Sequence, residues 1–92
     1  MNQTEQISEN LKILAEPTRL RILKLLLEND YLCVNAITCR LDVSQSTVSQ
    51  HLRILRQANL VSREKRAKNI HYSLNKTRVN KIMKLFTEFW QS

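Results

Sequence analysis

The most restrictive feature of this 92-residue sequence is that it contains no glycine. Glycine is the residue that adopts a left-handed backbone most readily, so such positions must fall mainly to asparagine. Asn29, Asn59 and Asn69 each stand where a helix or strand should end, and we expect left-handed backbone there. A Gly-rich phosphate loop is excluded, and no nucleophile–base or metal-ligand spacing occurs. We therefore do not expect an enzyme.

The charge balance favours a polyanionic partner. The chain carries 15 Lys and Arg against 8 Asp and Glu, a formal net charge of +7, which suits a phosphate backbone or an anionic lipid. A merely solubilising surface would show the same charge balance, so only the positions of the charged residues can distinguish it from a binding surface. The sequence leads us to expect no secretory signal, no membrane span and no disulfide framework. We expect one cytoplasmic domain, residues 1–92, with no membrane contact.

Apolar periodicity and turn residues divide the chain into five helices and three short strands. Pro17 should open the second helix, whose buried face we assign to Leu20, Leu23 and Leu27. The other predicted helices are 4–15, 35–41, 45–58 and 77–90, and the predicted strands are 31–34, 60–66 and 69–74. The order α-α-β-α-α-β-β-α predicts a mainly α fold with a small β-hairpin wing, a winged helix-turn-helix.

The fourth helix combines an apolar face with a polar face that has no acid. At 100° per residue Val48, Leu52 and Leu55 form the inward stripe, and Ser44 is suited to cap the helix after a three-residue turn. His51 lies at the core margin, where we expect a packed, hydrogen-bonded histidine rather than a metal ligand. The polar side chains suit base edges and phosphates in the major groove. The expected DNA contacts are Ser44, Gln45, Ser46, Thr47, Ser49, Gln50 and Arg53.

The hairpin that follows carries a second group of candidate contacts. Glu64 is the only acid near its tip, among four basic residues, Arg63, Lys65, Arg66 and Lys68. A charged hairpin can simply be a solvated edge that blocks aggregation. Beside a helix-turn-helix, we instead expect contacts with phosphates or the minor groove, which position a protein without reading bases.

Three segments carry a resemblance to a known family, and they are residues 14–23 (LAEPTRLRIL), 32–34 (LCV) and 44–52 (SQSTVSQHL). Over nearly the whole chain the sequence resembles the ArsR/SmtB family of winged-helix repressors. In order, the segments are similar to the start of the family's second helix, to its short strand and third helix, and to its recognition helix. The resemblance implies a homodimer that binds double-stranded DNA, represses its own operon and leaves DNA when an effector binds. It also implies dimer contacts through the first and last helices.

The last helix points to a dimer on independent grounds. Its aromatic stripe is larger than a lone small domain readily covers, although an intramolecular core is the alternative. A two-fold dimer would place two recognition helices about one DNA turn apart on a near-palindromic operator. The residues expected at the dimer interface are Leu11, Ile82, Phe86, Phe89 and Trp90.

The family's metal-sensing motifs are incomplete in this chain. Cys33 matches the first cysteine of the arsenic-type motif, but Asn35 and Thr38 replace the other two. On one helix Cys33 and Cys39 would be about 240° apart, too far around to chelate one ion within one chain. If Cys33 lies on the strand instead, the sequence does not define the distance between the thiols. The last helix has no Asp or His for the family's zinc site. We predict no metal and no cofactor, and three options stay open for the effector: thiol chemistry at Cys33 and Cys39, an unrelated ligand, or none.

Two other classes of function are open at this stage. A winged-helix adaptor would show acids or apolar residues on the exposed face of residues 45–57, and these are missing. A non-specific nucleic-acid binder would also carry positive charge, but its affinity would depend on salt to the same degree on any duplex. The tight turn, the serine cap and the hydrogen-bonding face favour a sequence-specific regulator over both.

Overall fold

The computed structural model describes residues 1–91, and its elements follow the predicted order. Helices α1, α3, α4 and α5 begin and end within one residue of the predicted positions. The elements are α1 (Gln3–Leu14), α2 (Pro17–Glu28), β1 (Leu32–Cys33), α3 (Val34–Leu41), α4 (Gln45–Gln57), β2 (Val61–Arg66), β3 (Asn69–Leu74) and α5 (Lys76–Gln91). The mainly α, winged helix-turn-helix architecture is therefore confirmed.

The three strands form one antiparallel sheet in the order β1-β3-β2. Leu32 of β1 stands opposite Tyr72 of β3, and β3 pairs along its full length with β2. Leu32, Tyr72 and Val61 are buried at the base of the sheet, whereas β2 beyond Val61 is exposed. The tip of the hairpin consequently stands clear of the core as a wing.

The hydrophobic core joins α2, α3, α4 and α5 to all three strands. The predicted inward stripe of α4 is confirmed, since Val48, Leu52 and Leu55 are completely buried. Each fully buried aliphatic side chain of this kind stabilises a fold by about 1.5–3 kcal/mol. The largest fully buried side chains are Ile22, Leu26, Ile37, Val48, Leu52, Leu55 and Leu60.

The buried face of α2 differs from the prediction. Leu20 and Leu27 are 50% and 55% exposed, whereas Ile22 and Leu26 are buried and Leu23 is only partly buried. Six of the twelve residues of α2 are Leu or Ile, so apolar side chains occur around most of the helix. Periodicity cannot select one face in such a helix, and packing against α4 and the sheet selects Ile22 and Leu26.

Only one of the three expected left-handed asparagines has that backbone. Positive φ occurs at Asn59 (63°), as predicted, and also at Asp42 (54°) and Ala67 (54°). Asn29 ends α2 with φ −135°, and its side-chain amide donates to the Leu25 carbonyl instead. Asn69 begins strand β3. The prediction is therefore wrong at Asn29 and Asn69, because side-chain capping and strand pairing there remove the need for a left-handed residue.

Ala67 in the wing turn offers a direct test of this backbone. We expect Ala67→Gly to raise the free energy of unfolding by about 0.5–1 kcal/mol, because glycine avoids the steric cost that alanine has at positive φ. Urea denaturation at a fixed protein concentration measures the change. Ala36→Gly within α3 is the control and should lower stability by about 0.5–1 kcal/mol. Destabilisation of similar size in both variants would contradict the left-handed assignment.

Candidate nucleic-acid interface

The turn between α3 and α4 places the N-terminus of α4 in a defined position. Asp42 ends α3 in the left-handed region, and its N–H donates to the Thr38 carbonyl. Ser44 then caps α4 as predicted: its Oγ accepts the N–H of Thr47 at 3.2 Å and donates to Thr47 Oγ1 at 2.8 Å. The N-terminus of a helix carries partial positive charge, so the start of α4 is suited to lie beside DNA phosphates.

The polar face of α4 is open to solvent. No carboxylate occurs along this helix, which offers amide, hydroxyl and guanidinium groups instead. Such groups can pair with base edges or phosphates without the repulsion that an acid would add. Thr47 is half-buried; the other predicted contacts are exposed, namely Ser44, Gln45, Ser46, Ser49, Gln50 and Arg53.

The four basic residues of the wing are all exposed but are not equivalent. Arg66 pairs with Glu64, with 3.1 Å from Nε to Oε1, and its guanidinium lies 5.9 Å from the centre of the Tyr31 ring. The hydrogen bond and charge of Glu64 raise the pKa of Arg66. Within residues 1–91 the other three basic residues of the wing have no carboxylate within ion-pair distance, and they are Arg63, Lys65 and Lys68.

A stacked pair of rings lies beside the middle of the wing. Tyr31 and His71 lie with ring centres 4.5 Å apart and planes 16° from parallel. The Arg66 guanidinium also lies over the ring of Tyr31, so this tyrosine contacts both β2 and β3. The sequence gives no sign of this contact, because 40 residues separate the two rings and only the sheet register brings them together.

A polar network joins α4 to the junction between α1 and α2. His51 is packed and hydrogen-bonded, as predicted: its side chain is 17% exposed, and Nδ1 accepts from Arg19 Nε at 3.2 Å. Arg19 also donates through Nη1 to the Ile13 carbonyl at 3.1 Å. Glu16 Oε2 lies 3.6 Å from the same histidine nitrogen. Sequence spacing gives no indication of a contact between residues 32 positions apart.

Glu16 also caps α2, and this role affects its ionisation. Its carboxylate accepts the backbone N–H of Arg19 at 2.8 Å. That hydrogen bond is the main reason why the pKa of Glu16 is lowered; the Thr18 N–H, His51 and Arg19 act in the same direction, and burial opposes them. Glu16 therefore stays ionised over the physiological range.

The lowered pKa of Glu16 leads to a pH-dependent stability. Because the pKa is lower in the folded state, the carboxylate contributes stability at neutral pH that is lost as the pH falls through the folded-state pKa. We expect Glu16→Gln to be less stable than the wild type near pH 7, with the difference closing below about pH 4. Urea denaturation across this range tests it, with Glu28→Gln at the other end of α2 as the control. Parallel pH profiles for wild type and Glu16→Gln would contradict the prediction.

The predicted dimer residues lie at the contact between α1 and α5. Leu11 and Trp90 are 42% and 70% exposed, and Phe86 and Phe89 are half-buried. The Trp90 ring meets both phenylalanines edge-on, with ring centres 5.9 and 5.2 Å away. These side chains line a groove of about 420 Å³, the α1–α5 groove. Ile82 is 6% exposed and belongs to the intramolecular core, so it supports α5 from beneath.

The two cysteines lie at opposite ends of α3. Cys33 is half-buried at the end of β1 and precedes the first residue of α3, whereas Cys39 is exposed on the helix. Because Cys33 is on the strand, the angular separation expected for a single helix does not apply. Across residues 1–91 no cluster of three or more His, Cys, Asp and Glu side chains is arranged to hold a metal ion. No helix in the same range could cross a bilayer.

The capped turn, the exposed acid-free helix and the basic wing define a winged helix-turn-helix protein of the DNA-binding class. Residues 16–63 match the family model described as bacterial regulatory protein, arsR family. The chain belongs to this family, and it is a transcriptional regulator rather than an enzyme.

Two relatives and one solved structure show how far this similarity extends. The chain is 41% identical to an uncharacterized HTH-type transcriptional regulator from Methanocaldococcus jannaschii, over 96% of this chain and 99% of that protein. It is 40% identical to the arsenical resistance operon repressor of Escherichia coli, over 87% of this chain and 68% of that protein. The crystal structure of the transcriptional repressor PagR of Bacillus anthracis matches with a TM-score of 0.73 and 38% identity, over 90% of this chain and 94% of that chain.

Proposed function

We propose that the protein is a homodimeric repressor that binds a near-palindromic operator and leaves it when an effector binds. Helix α4 enters the major groove, and the wing contacts the flanking backbone. The observation that carries this proposal is the polar face of α4, which is exposed, free of acid and capped at Ser44. The expected compartment is the cytoplasm, because a transcriptional regulator acts where the chromosome is.

The α1–α5 groove supports the dimer. Its walls are mainly apolar, and Leu11 and Trp90 expose hydrophobic surface along it that a second copy would cover. A second copy is the occupant that we propose, since a two-fold pairing buries the same groove on both chains. The same pairing presents two α4 helices to one side of the duplex.

Thiol chemistry is the effector mechanism to test first. The exposed thiol of Cys39 is the group that a thiol-reactive metalloid or oxidant would meet first. The Escherichia coli relative is named as an arsenical resistance operon repressor, so arsenite is the first compound to test. Loss of the DNA complex on adding arsenite, reversed by Cys39→Ser, would support thiol sensing. A complex that arsenite leaves intact would exclude arsenite and favour another ligand or no effector.

Selection from a randomised duplex pool tests the repressor itself. We expect the reduced protein to enrich two inverted half-sites about 10 base pairs apart, and fluorescence anisotropy to show preference for the selected duplex over a scrambled one. Enrichment of a single half-site would contradict the dimer. No enrichment at all would favour a non-specific binder or an adaptor.

The wing makes a separate prediction about salt dependence. Lys65 is exposed and unpaired among the described residues, so Lys65→Ala should reduce the slope of log affinity against log salt by about 0.9 on any duplex. Arg66→Ala should change the slope less, because Glu64 already pairs with this guanidinium. Anisotropy at several salt concentrations measures both slopes. An unchanged slope for Lys65→Ala would remove it from the phosphate contacts.

A further inference from the structure

The network of Glu16, Arg19 and His51 joins the two parts of the molecule on which the proposed function depends. Arg19 donates to the Ile13 carbonyl in the last turn of α1, the helix that carries Leu11 of the α1–α5 groove. Through Nε it donates to His51 of α4, the residue next to Gln50. One guanidinium therefore connects the proposed dimer helix to the recognition helix.

The hydrogen bonds define the protonation state of this link. Arg19 has only donors, so His51 Nδ1 must be unprotonated to accept from Nε at 3.2 Å. Glu16 Oε2 lies 3.6 Å from the same nitrogen and has only acceptors while it is ionised. A proton on Nδ1 would abolish the bond from Arg19, place two positive charges together and provide a donor for Glu16. His51 thus has two alternative partners, one for each protonation state.

We propose that Arg19 is a positioning residue for DNA binding, which holds α4 through neutral His51, and that protonation of His51 breaks this link and weakens operator binding. The proposal rests on the repressor function above and adds a form of regulation to it. Histidine side chains in general change charge between about pH 5 and 8, so this is the pH range to test. The charged groups recorded against His51 in the described chain are Glu16 from the α1–α2 junction and Arg19 from α2.

Orientation of α4 explains why loss of one hydrogen bond should affect operator binding in particular. Base contacts require the side chains of a recognition helix to meet base edges in a fixed geometry, whereas phosphate contacts tolerate more movement. Release of α4 from the α1–α2 junction should therefore lower affinity for the operator more than affinity for unrelated DNA. A merely structural role would instead lower stability and leave the ratio of the two affinities unchanged.

The test compares the selected duplex with a scrambled duplex of the same composition, by anisotropy at constant salt. For the wild type we expect the ratio of the two affinities to fall about tenfold from about pH 7.5 to about pH 5.5. His51→Asn keeps an acceptor near the position of Nδ1 and does not titrate, so its ratio should stay constant. The chain has only one other histidine, and His71→Asn is the matched control that should retain the wild-type fall.

Variants at position 19 distinguish the effect of losing the hydrogen bonds of Arg19 from the effect of losing its positive charge. Arg19→Ala should lose about tenfold in the affinity ratio at pH 7.5 and become independent of pH. Arg19→Lys keeps the positive charge, but lysine lacks the planar guanidinium that donates to both His51 and the Ile13 carbonyl. We therefore expect Arg19→Lys to bind scrambled DNA as tightly as the wild type but to have a lower ratio of operator to scrambled affinity. Thermal unfolding and sedimentation of each variant show whether fold and assembly are intact.

Different failures have different meanings. If the wild type shows no preference for the selected duplex at pH 7.5, the repressor function itself is wrong. If the preference is present but does not change with pH, or if folded Arg19→Ala keeps the full ratio, the repressor function stands and the positioning role is overturned. If the affinity ratio falls equally with pH in His51→Asn and in the wild type, the positioning role is also overturned.

Discussion

Trp90→Asp is expected to convert the protein to monomers in analytical ultracentrifugation. Trp90 is 70% exposed and lies in the α1–α5 groove, so the substitution removes little from the core of one chain but places a charge in the proposed interface. The loss of the partner also removes the second DNA contact. We expect affinity for a duplex with two half-sites to fall by about 10²–10⁴, since the two half-sites are no longer bound as one unit.

Leu27→Asp is the matched control for that variant. Leu27 is also exposed, at 55%, but it lies on α2 and does not line the α1–α5 groove. This control should leave the dimer intact, so that a general effect of added negative charge can be recognised. A Trp90→Asp protein that sediments as a dimer would place the interface elsewhere on the chain.

Gln50→Ala is expected to weaken binding of the selected duplex by about 10- to 100-fold, with little change on scrambled DNA. A glutamine that pairs with adenine through two hydrogen bonds contributes about 1–3 kcal/mol of discrimination. Gln50 is exposed on the acid-free face of α4, and its neighbour His51 is the residue tied to Arg19. Anisotropy on both duplexes measures the change.

Gln57→Ala provides a control with the same chemistry on the same helix. Gln57 is the last residue of α4, about 10 Å along the axis from Gln50, whereas the N-terminal part of a recognition helix contacts the bases. We expect its effect to be small on either duplex. Equal losses on selected and scrambled DNA for Gln50→Ala would make Gln50 a backbone contact rather than a base contact.

The face of α4 could be predicted from the sequence because local rules determine it. Serine before a helix accepts an N–H of the first turn, and Val48, Leu52 and Leu55 recur at the helical period with polar residues between them. The order of the elements and most of their boundaries could be predicted for the same reason. Glycine-free turns were less predictable, because Asp42 and Ala67 adopt positive φ where their neighbours require a tight turn.

Tertiary structure decided every feature that depends on which face of an element meets which neighbour. In α2, apolar residues surround most of the helix, and only packing shows that Ile22 is buried and Leu20 exposed. The link from Arg19 to His51 spans 32 residues, and no periodicity within one segment encodes it.

By itself, then, the sequence determined the local elements, the polar face of α4 and the basic wing, since each follows from interactions between residues near in the chain. Three features depended on the tertiary structure: the core face of α2, the contact of Arg66 with Tyr31, and the histidine link. They arise only when distant segments pack together, and the contact between such segments is a property of the whole fold.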